Sequence, residues 1–200
     1  DFRDHYGWVF YQRNISVPAF VKSQRIMLRC AAVSHQARIY LNGELICEHT
    51  GGFLPFETEI TDKLKDGQDN LLTIAVNNVI DYTTLPVGGK ANMLSGMAGV
   101  DGDHTAGKPQ NNPNFDFFNY CGITRPVKIY TTPKDYIEDI TVVPQVIGAD
   151  ADLAYSVDTV GSGPCKVEVF DKEGNKVAES EGAKGVLHIK NVHLWQPLHA

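Results

Sequence analysis

The sequence predicts an all-β protein, a sandwich or jelly roll followed by part of a second β-sandwich. Short apolar or alternating segments of strand length recur along the chain, and Gly, Pro, Asn and Asp residues separate them. No stretch keeps a helical period of apolar residues. Many evenly spaced strands with such turn residues between them are typical of sandwiches and jelly rolls. The predicted strands cover residues 8–17, 25–33, 38–49, 71–78, 125–130 and 136–144.

The third of these segments contains a signal for a tight hairpin. Asn42-Gly43 lies between the apolar runs 39–41 and 45–47. Asn and Gly both tolerate positive φ, which a two-residue hairpin turn requires. Segment 38–49 is therefore predicted to form two antiparallel strands. The segments 8–17 and 25–33 before it, and 71–78 after it, are apolar or alternating runs between turn residues, as strands are.

The last two predicted strands lie on either side of a predicted domain boundary. In 125–130 the apolar residues Val127 and Ile129 alternate with Lys128 and Tyr130, so one face of the strand is predicted to be buried. The residues between this strand and 136–144 include Thr-Thr-Pro-Lys-Asp, which is a polar connection containing a proline. We therefore predict a first domain over residues 1–134 and a second over residues 135–200.

The second predicted domain has the strand spacing of an immunoglobulin-like sandwich. Its clearest signal is a hairpin turn at residues 171–174, Asp-Lys-Glu-Gly, between strand-like runs at 165–170 and 175–178. Such a fold typically needs roughly 100 residues, and fewer than that follow the boundary. The immunoglobulin-like domain is therefore predicted to be truncated.

Composition disfavours several classes of function. The net charge is -6 with acids and bases interspersed, so we predict no nucleic-acid partner, and no apolar run is long enough for a membrane helix. The histidines lack ligand spacing and no nucleotide-binding glycine motif is present, so no metal and no cofactor are predicted. The four cysteines show no Cys-x-x-Cys spacing, and Cys30 and Cys165 lie in strand-like runs that predict buried free thiols.

A long segment without strand pattern extends over residues 80–114. It contains several Gly and Pro residues and leads directly to Asp116. Loops of this length inside a compact domain are usually either functional or mobile, and the residues by themselves favour neither.

The residues from Asp116 to Tyr120, Asp-Phe-Phe-Asn-Tyr, are the main candidate for a binding site. An acid and an amide beside aromatic residues are typical of the edge of an aromatic-walled pocket. The alternatives are a turn-capping role for Asp116 and core packing for the aromatic residues. After this segment, Cys121-Gly122-Ile123 supplies a bend, and Arg125 has the donors to bind loop carbonyls as a scaffold.

The run 119–127, Asn-Tyr-Cys-Gly-Ile-Thr-Arg-Pro-Val, preceded by Asp-Phe-Phe, resembles the N-terminal sugar-binding domain of β-glucuronidases in glycoside hydrolase family 2. Further segments match the same family in the same order, so the resemblance spans nearly the whole chain. It implies a galactose-binding-like jelly roll for the first domain. The further segments are 7–13, 49–57, 139–143 and 193–197.

This resemblance also implies a role for the chain in a larger enzyme. In the family, both catalytic glutamates lie on a C-terminal (β/α)8 barrel that these residues do not contain, so the chain alone is expected to be inactive. Asp116 is implied to reach the active site of that barrel and to bind a sugar hydroxyl, with Phe117, Asn119 and Tyr120 also lining the substrate. The implied partners are a β-glucuronide, the barrel of the same polypeptide, and further copies in a homo-oligomer.

Alternatives to this interpretation remain open. The chain could be an independent carbohydrate-binding module, or the same region of a β-galactosidase. A cytoplasmic location is favoured by the low cysteine content, whereas the sequon Asn14-Ile15-Ser16 would matter in a secreted or lysosomal protein.

Overall fold

Regular structure in the described part of the chain consists almost wholly of β-strands, which confirms the predicted all-β class. The computed structural model describes residues 5–65, 67–81, 83, 85, 111 and 120–195. Single 3₁₀ turns occur at Ala19–Val21 and Thr61–Lys63. The strands are β1 (Trp8–Ile15), β2 (Arg25–Cys30), β3 (Val33–Ser34), β4 (Gln36–Leu41), β5 (Glu44–Thr50), β6 (Phe56–Glu59), β7 (Asn70–Asn77), β8 (Gly122–Ile123), β9 (Val127–Thr132), β10 (Tyr136–Ile147), β11 (Asp150–Val160), β12 (Lys166–Phe170), β13 (Lys176–Glu181) and β14 (Lys184–Ile189).

The chain divides into two compact units, one up to Thr132 and one from Pro133 onward. The first unit has two antiparallel sheets with the strand orders β1-β7-β4-β5 and β6-β2-β9. Ile26 and Leu28 of β2 are each 1% exposed and share one core cluster with Ile39 of the other sheet. Because apolar faces of both sheets meet in this cluster, the first unit is a β-sandwich.

The predicted hairpin at residues 42–43 is confirmed. Asn42 has φ 53° and Gly43 has φ 88°, as a two-residue turn with positive φ at both positions requires. The Asn42 side chain also joins the hairpin to β7, because its Oδ1 accepts a hydrogen bond from Leu71 N at 3.1 Å. Its Nδ2 donates to Oδ1 of Asn70 at 2.8 Å, and Asn70 is only 1% exposed.

The predicted strand at 25–33 is shorter than expected. β2 ends at Cys30, and the chain then passes from one sheet to the other through β3 before β4 begins. The connection is paired along its length, since Ala31 N donates to Pro126 O at 3.1 Å and Thr124 N donates to Ala32 O at 3.2 Å. The change of sheet, rather than a turn residue, therefore ends this strand.

One side of the sandwich, between the edge strands β1 and β9, is open. Tyr11 lies opposite the buried Ile74, and Ile129 lies opposite the buried Leu28, so both side chains are on the inward faces. They are nevertheless 42% and 37% exposed. A cavity of about 460 Å³ lies between the two strands, and it is lined by Tyr11, Gln12, Arg13, Asn14, Ile15, Ser16, Leu28, Leu72, Ile74, Ile123, Val127 and Ile129.

The second unit contains a three-stranded sheet, β10-β11-β14, and the hairpin β12-β13. Tyr155, Val157 and Leu187 form its buried cluster, against which Val167 and Val169 of the hairpin pack. The hairpin turn follows the predicted chemistry, since the Asp171 carboxylate accepts a hydrogen bond from Asn175 N at 2.8 Å. Two layers of strands with an apolar interior again make a sandwich.

Part of the inward face of β10 is exposed, because the hairpin β12-β13 covers the neighbouring strand β11 but not this part of β10. Ile140 lies opposite the buried Val157, and Val142 lies opposite the buried Tyr155. The two β10 residues are nevertheless 54% and 49% exposed. β10 is an edge strand, which also explains how it accommodates Pro144.

The predicted burial of the cysteine thiols is correct for Cys30. This residue is 1% exposed, and burial raises the pKa of its thiol to about 11. Cys165, just before β12, is only partly buried. All four cysteines are free thiols.

Candidate functional site

One end of the first unit gathers loops from both of its sheets. β1 begins where β7 ends, with Trp8 opposite Asn77, and β4 begins where β5 ends, with Gln36 opposite Thr50. In the other sheet, β2 ends at Cys30, where β6 and β9 begin. We call this end the β3 end. It comprises residues 31–35, 51–55, 77–81 and 120–126.

Ser34 joins two of these loops. Its backbone pairs with Gly122 in the short β3-β8 ladder, and its Oγ donates to Gly52 O at 3.4 Å. Ser34 is 4% exposed. The segment around Gly122 and the loop around Gly52 are thus attached to the same buried residue.

Both glycines attached to Ser34 occupy positions that disfavour a side chain. A Cβ atom at Gly52 would lie 2.5 Å from Ser34 Oγ. A Cβ atom at Gly122 would lie 2.8 Å from the Tyr11 hydroxyl, and Gly122 also has φ 99°. Gly122 therefore lies in a short strand rather than in the predicted bend, and both its positive φ and its close contact with β1 favour glycine.

His35 lies next to Ser34 and is 1% exposed. Its backbone N donates to Asn77 O at 2.9 Å, and its backbone O accepts from Gly51 N at 2.7 Å. Beside it, the His49 ring stacks on Phe56 with ring centroids 4.1 Å apart. The loop at 51–55 is therefore held at its start by backbone hydrogen bonds and at its base by stacked rings.

Asn78 organises the other side of the β3 end and was not singled out by the sequence. It is 7% exposed, its Oδ1 accepts from Gly7 N at 2.8 Å, and its Nδ2 donates to His5 O at 2.6 Å. Asn111 Nδ2 donates to Asn78 O at 2.7 Å, while Ile80 N donates to Asn111 Oδ1 at 2.9 Å. In the sequence, the signal for this role is an Asn at the end of a predicted strand. Its hydrogen-bond partners are distant in the chain, so the sequence does not identify them.

The predicted site residues are only partly within the described residues. Asp116, Phe117 and Asn119 lie outside them. Tyr120 lies at the β3 end and is 77% exposed, and Gly122 is buried in β8. Arg125 is exposed in the bend that precedes β9, so its scaffold role stays a prediction.

The glutamates on β6 form ion pairs on the outer face of a sheet. Tyr130 Oη donates to Glu57 Oε2 at 2.6 Å, Arg29 donates to the other Glu57 oxygen, and Arg25 Nε lies 2.9 Å from Glu59 Oε2. The hydrogen bond from Tyr130 and the nearby Arg29 lower the pKa of Glu57. A glycosidase acid needs a raised pKa instead, and the contacts of this cluster join the three strands β6, β2 and β9.

The described residues contain neither a cluster of side chains suited to a metal ion nor a helix suited to a membrane. No group of three or more His, Cys, Asp or Glu side chains there is arranged to hold a metal ion. In that same part of the chain, no helix has the length and apolar character needed to cross a bilayer.

Comparison with protein families and curated proteins gives a consistent result. Residues 1–133 match the family model described as "Glycosyl hydrolases family 2, sugar binding domain". The chain is similar to the β-glucuronidase of Paenibacillus borealis, with 37% identity over 199 residues, covering 99% of the chain and 32% of that protein. It is also similar to human β-glucuronidase, with 36% identity over 203 residues, covering 98% of the chain and 30% of that protein.

Solved structures of β-glucuronidases also match nearly the whole chain. The β-glucuronidase of Faecalibacterium prausnitzii matches with a TM-score of 0.77 and 49% identity, over 98% of the chain and 33% of that protein. The β-D-glucuronidase of Dictyoglomus thermophilum matches with a TM-score of 0.75 and 41% identity, over 98% of the chain and 32% of that protein. The chain thus spans about a third of the length of these relatives.

Proposed function

The chain belongs to glycoside hydrolase family 2, and we propose that it forms the N-terminal, non-catalytic region of a retaining β-glucuronidase. The observation that carries the proposal is the match of nearly the whole chain, in sequence and in structure, to proteins named β-glucuronidase. The same matches favour a β-glucuronidase over a β-galactosidase.

In this proposal the first unit supports the active site of a longer enzyme and adds residues to it. Asp116 accepts hydrogen bonds from sugar hydroxyls, since a carboxylate forms strong charge-assisted bonds of that kind. Phe117, Asn119 and Tyr120 line the sugar beside it. Two observations support this arrangement. Tyr120, which directly follows Asn119 in the chain, is exposed at the β3 end, and the backbone of Gly122 pairs with the buried Ser34.

The catalytic acid and nucleophile of the proposed enzyme lie in the part of the polypeptide outside these 200 residues. Retaining enzymes need two carboxyl groups about 5–5.5 Å apart, one of them with a raised pKa. The ion-paired Glu57 and Glu59 do not have this character, because the pKa of each is lowered by hydrogen bonds, first from Tyr130 and Thr61 respectively.

Titration of the isolated 200-residue chain with a β-glucuronide and with plain pyranosides tests the proposal. Negligible binding and no hydrolysis of a chromogenic glucuronide are expected, because the remainder of the site is absent. Saturable binding at micromolar to millimolar ligand would instead identify an independent carbohydrate-binding module, the function that the description of the matching family model favours next. Hydrolysis by the isolated chain would contradict both functions.

Two further parts of the proposal concern the longer enzyme. It forms a homo-oligomer, which sedimentation of the full-length protein tests.

The longer enzyme resides in the cytoplasm, and the free state of all four cysteines, with Cys30 buried, supports a reducing compartment. Both bacterial and mammalian proteins are among the relatives, so fractionation of the source cells is the direct measurement.

A further inference from the structure

Large apolar side chains are exposed at the β3 end. Phe53 is 58% exposed and Leu54 is 72% exposed, both in the loop between β5 and β6. Tyr120, on the adjoining segment before β8, is 77% exposed. Aromatic and aliphatic groups exposed together on anchored loops are a common feature of binding surfaces.

The loop that carries Phe53 and Leu54 is closely held by its surroundings. Gly51 N donates to His35 O at 2.7 Å, and Gly52 O accepts a hydrogen bond from the buried Ser34 hydroxyl. Packing against Ser34 leaves no space for a side chain at Gly52. The exposure of the two apolar residues is therefore a property of an ordered loop.

Ser34 also links this loop to the strand that follows Tyr120. Its side chain bonds to Gly52, one residue before Phe53, while its backbone pairs with Gly122, two residues after Tyr120. The polar side chains behind the loops, such as Asn78, are buried and bonded within the protein. Thr124 and Arg125 are also exposed at this end, and its large exposed apolar side chains are Phe53, Leu54 and Tyr120.

We infer that Phe53 and Leu54 form an apolar lip that contacts the aglycone, the non-sugar half of the substrate, and favours aromatic or multi-ring aglycones. The inference rests on the proposed function. A glucuronide has a polar sugar half and a variable non-sugar half. The Asp116 segment provides polar contacts for the first, and the neighbouring lip offers apolar contacts for the second.

The test measures kcat/KM in the full-length enzyme for two glucuronides whose phenolic leaving groups have similar acidity. One carries a single-ring phenol and the other a multi-ring apolar phenol. Phe53→Ala and Leu54→Ala are each expected to lower kcat/KM for the multi-ring substrate at least about fivefold, and for the small substrate less than about twofold. Phe20→Ala is the matched control, since Phe20 is 81% exposed in the turn at the opposite end of the first unit and should change neither value.

The outcomes separate this inference from the proposed function. An equal loss on both substrates would mean that the lip supports the fold or contacts another part of the enzyme, and would overturn the inference alone. Unchanged kinetics in both variants would overturn it as well. A wild-type enzyme that hydrolyses neither glucuronide would overturn the proposed function and, with it, the inference. Because Phe53 and Leu54 are exposed, thermal unfolding of both variants should match the wild type.

Discussion

Gly52 lies so close to Ser34 that a Cβ atom at position 52 would stand 2.5 Å from the serine Oγ. Ser34 in turn pairs through its backbone with Gly122. The apolar lip of Phe53 and Leu54 and the segment that begins at Tyr120 are therefore attached to the same buried residue, Ser34. Small changes at Ser34 or at either glycine should affect both loops together.

Gly52→Ala should destabilise the protein by about 1–3 kcal/mol, because the added methyl group overpacks a buried contact that includes the Ser34 side chain. Urea unfolding measured by circular dichroism gives the change in the free energy of unfolding. Gly163→Ala is the control, since a Cβ at that position meets no atom within 4 Å. Equal stability of the two variants would contradict the packing argument.

Gly122→Ala should destabilise the protein for two reasons, a clash with Tyr11 and a strained backbone, and a double-mutant cycle can separate their contributions to the free energy of unfolding. The new Cβ would lie 2.8 Å from the Tyr11 hydroxyl oxygen but 3.9 Å from the ring carbon that carries it. Tyr11→Phe should therefore remove the clash and leave the strain of φ 99°. We expect a coupling free energy of about 0.5–3 kcal/mol between the two substitutions. Strict additivity would show that the hydroxyl contact has no part in the requirement for glycine.

Tyr130→Phe should make stability less dependent on pH in the acid range. The hydrogen bond from Tyr130 is the main reason that the pKa of Glu57 is lowered in the folded protein. Because the pKa of Glu57 is lower in the folded protein, its ionised carboxylate stabilises the fold at pH values above the unfolded pKa of about 4.5. This contribution is lost as the pH falls through the pKa of the folded protein.

The variant should therefore be less stable than wild type at pH 7 by about 1 kcal/mol, and this difference should shrink below about pH 4.5. Unfolding free energies between neutral and acid pH measure the difference, and carbon NMR of the Glu57 carboxyl should show its pKa rising in the variant. A constant stability difference across this range would mean that Tyr130 acts by packing instead.

Asp116→Ala in the full-length enzyme should lower kcat/KM on a glucuronide without changing the thermal unfolding midpoint. Loss of hydrogen bonds to a charged group costs about 1.5–3 kcal/mol, which is roughly a ten- to hundredfold effect on rate. Asp69→Ala is the matched control, since Asp69 is exposed at the opposite end of the first unit. Unchanged kinetics in Asp116→Ala would refute the sugar contact.

Local signals in the sequence predict much of the fold. Asn42-Gly43 determines a hairpin because both residues accept positive φ, and the alternation from Val127 to Tyr130 marks a strand with one inward face. Such signals depend on residues that are neighbours in the chain, so they can be read without knowing the packing. The sequence predicted a bend around Gly122, whereas the structure has Gly122 in strand β8 with a positive φ and in close contact with Tyr11, a residue distant in the chain.

The pattern of residues was thus sufficient to predict the all-β class, the tight hairpin and the family to which the chain belongs. Three features became evident only from the folded chain: Ser34 joins Gly52 to Gly122, Asn78 bonds to Asn111, and Phe53 is exposed. Turn and strand preferences act over only a few residues, which explains this difference. Contacts between distant loops, and the exposure of a side chain, depend instead on how the two sheets pack and where their ends meet.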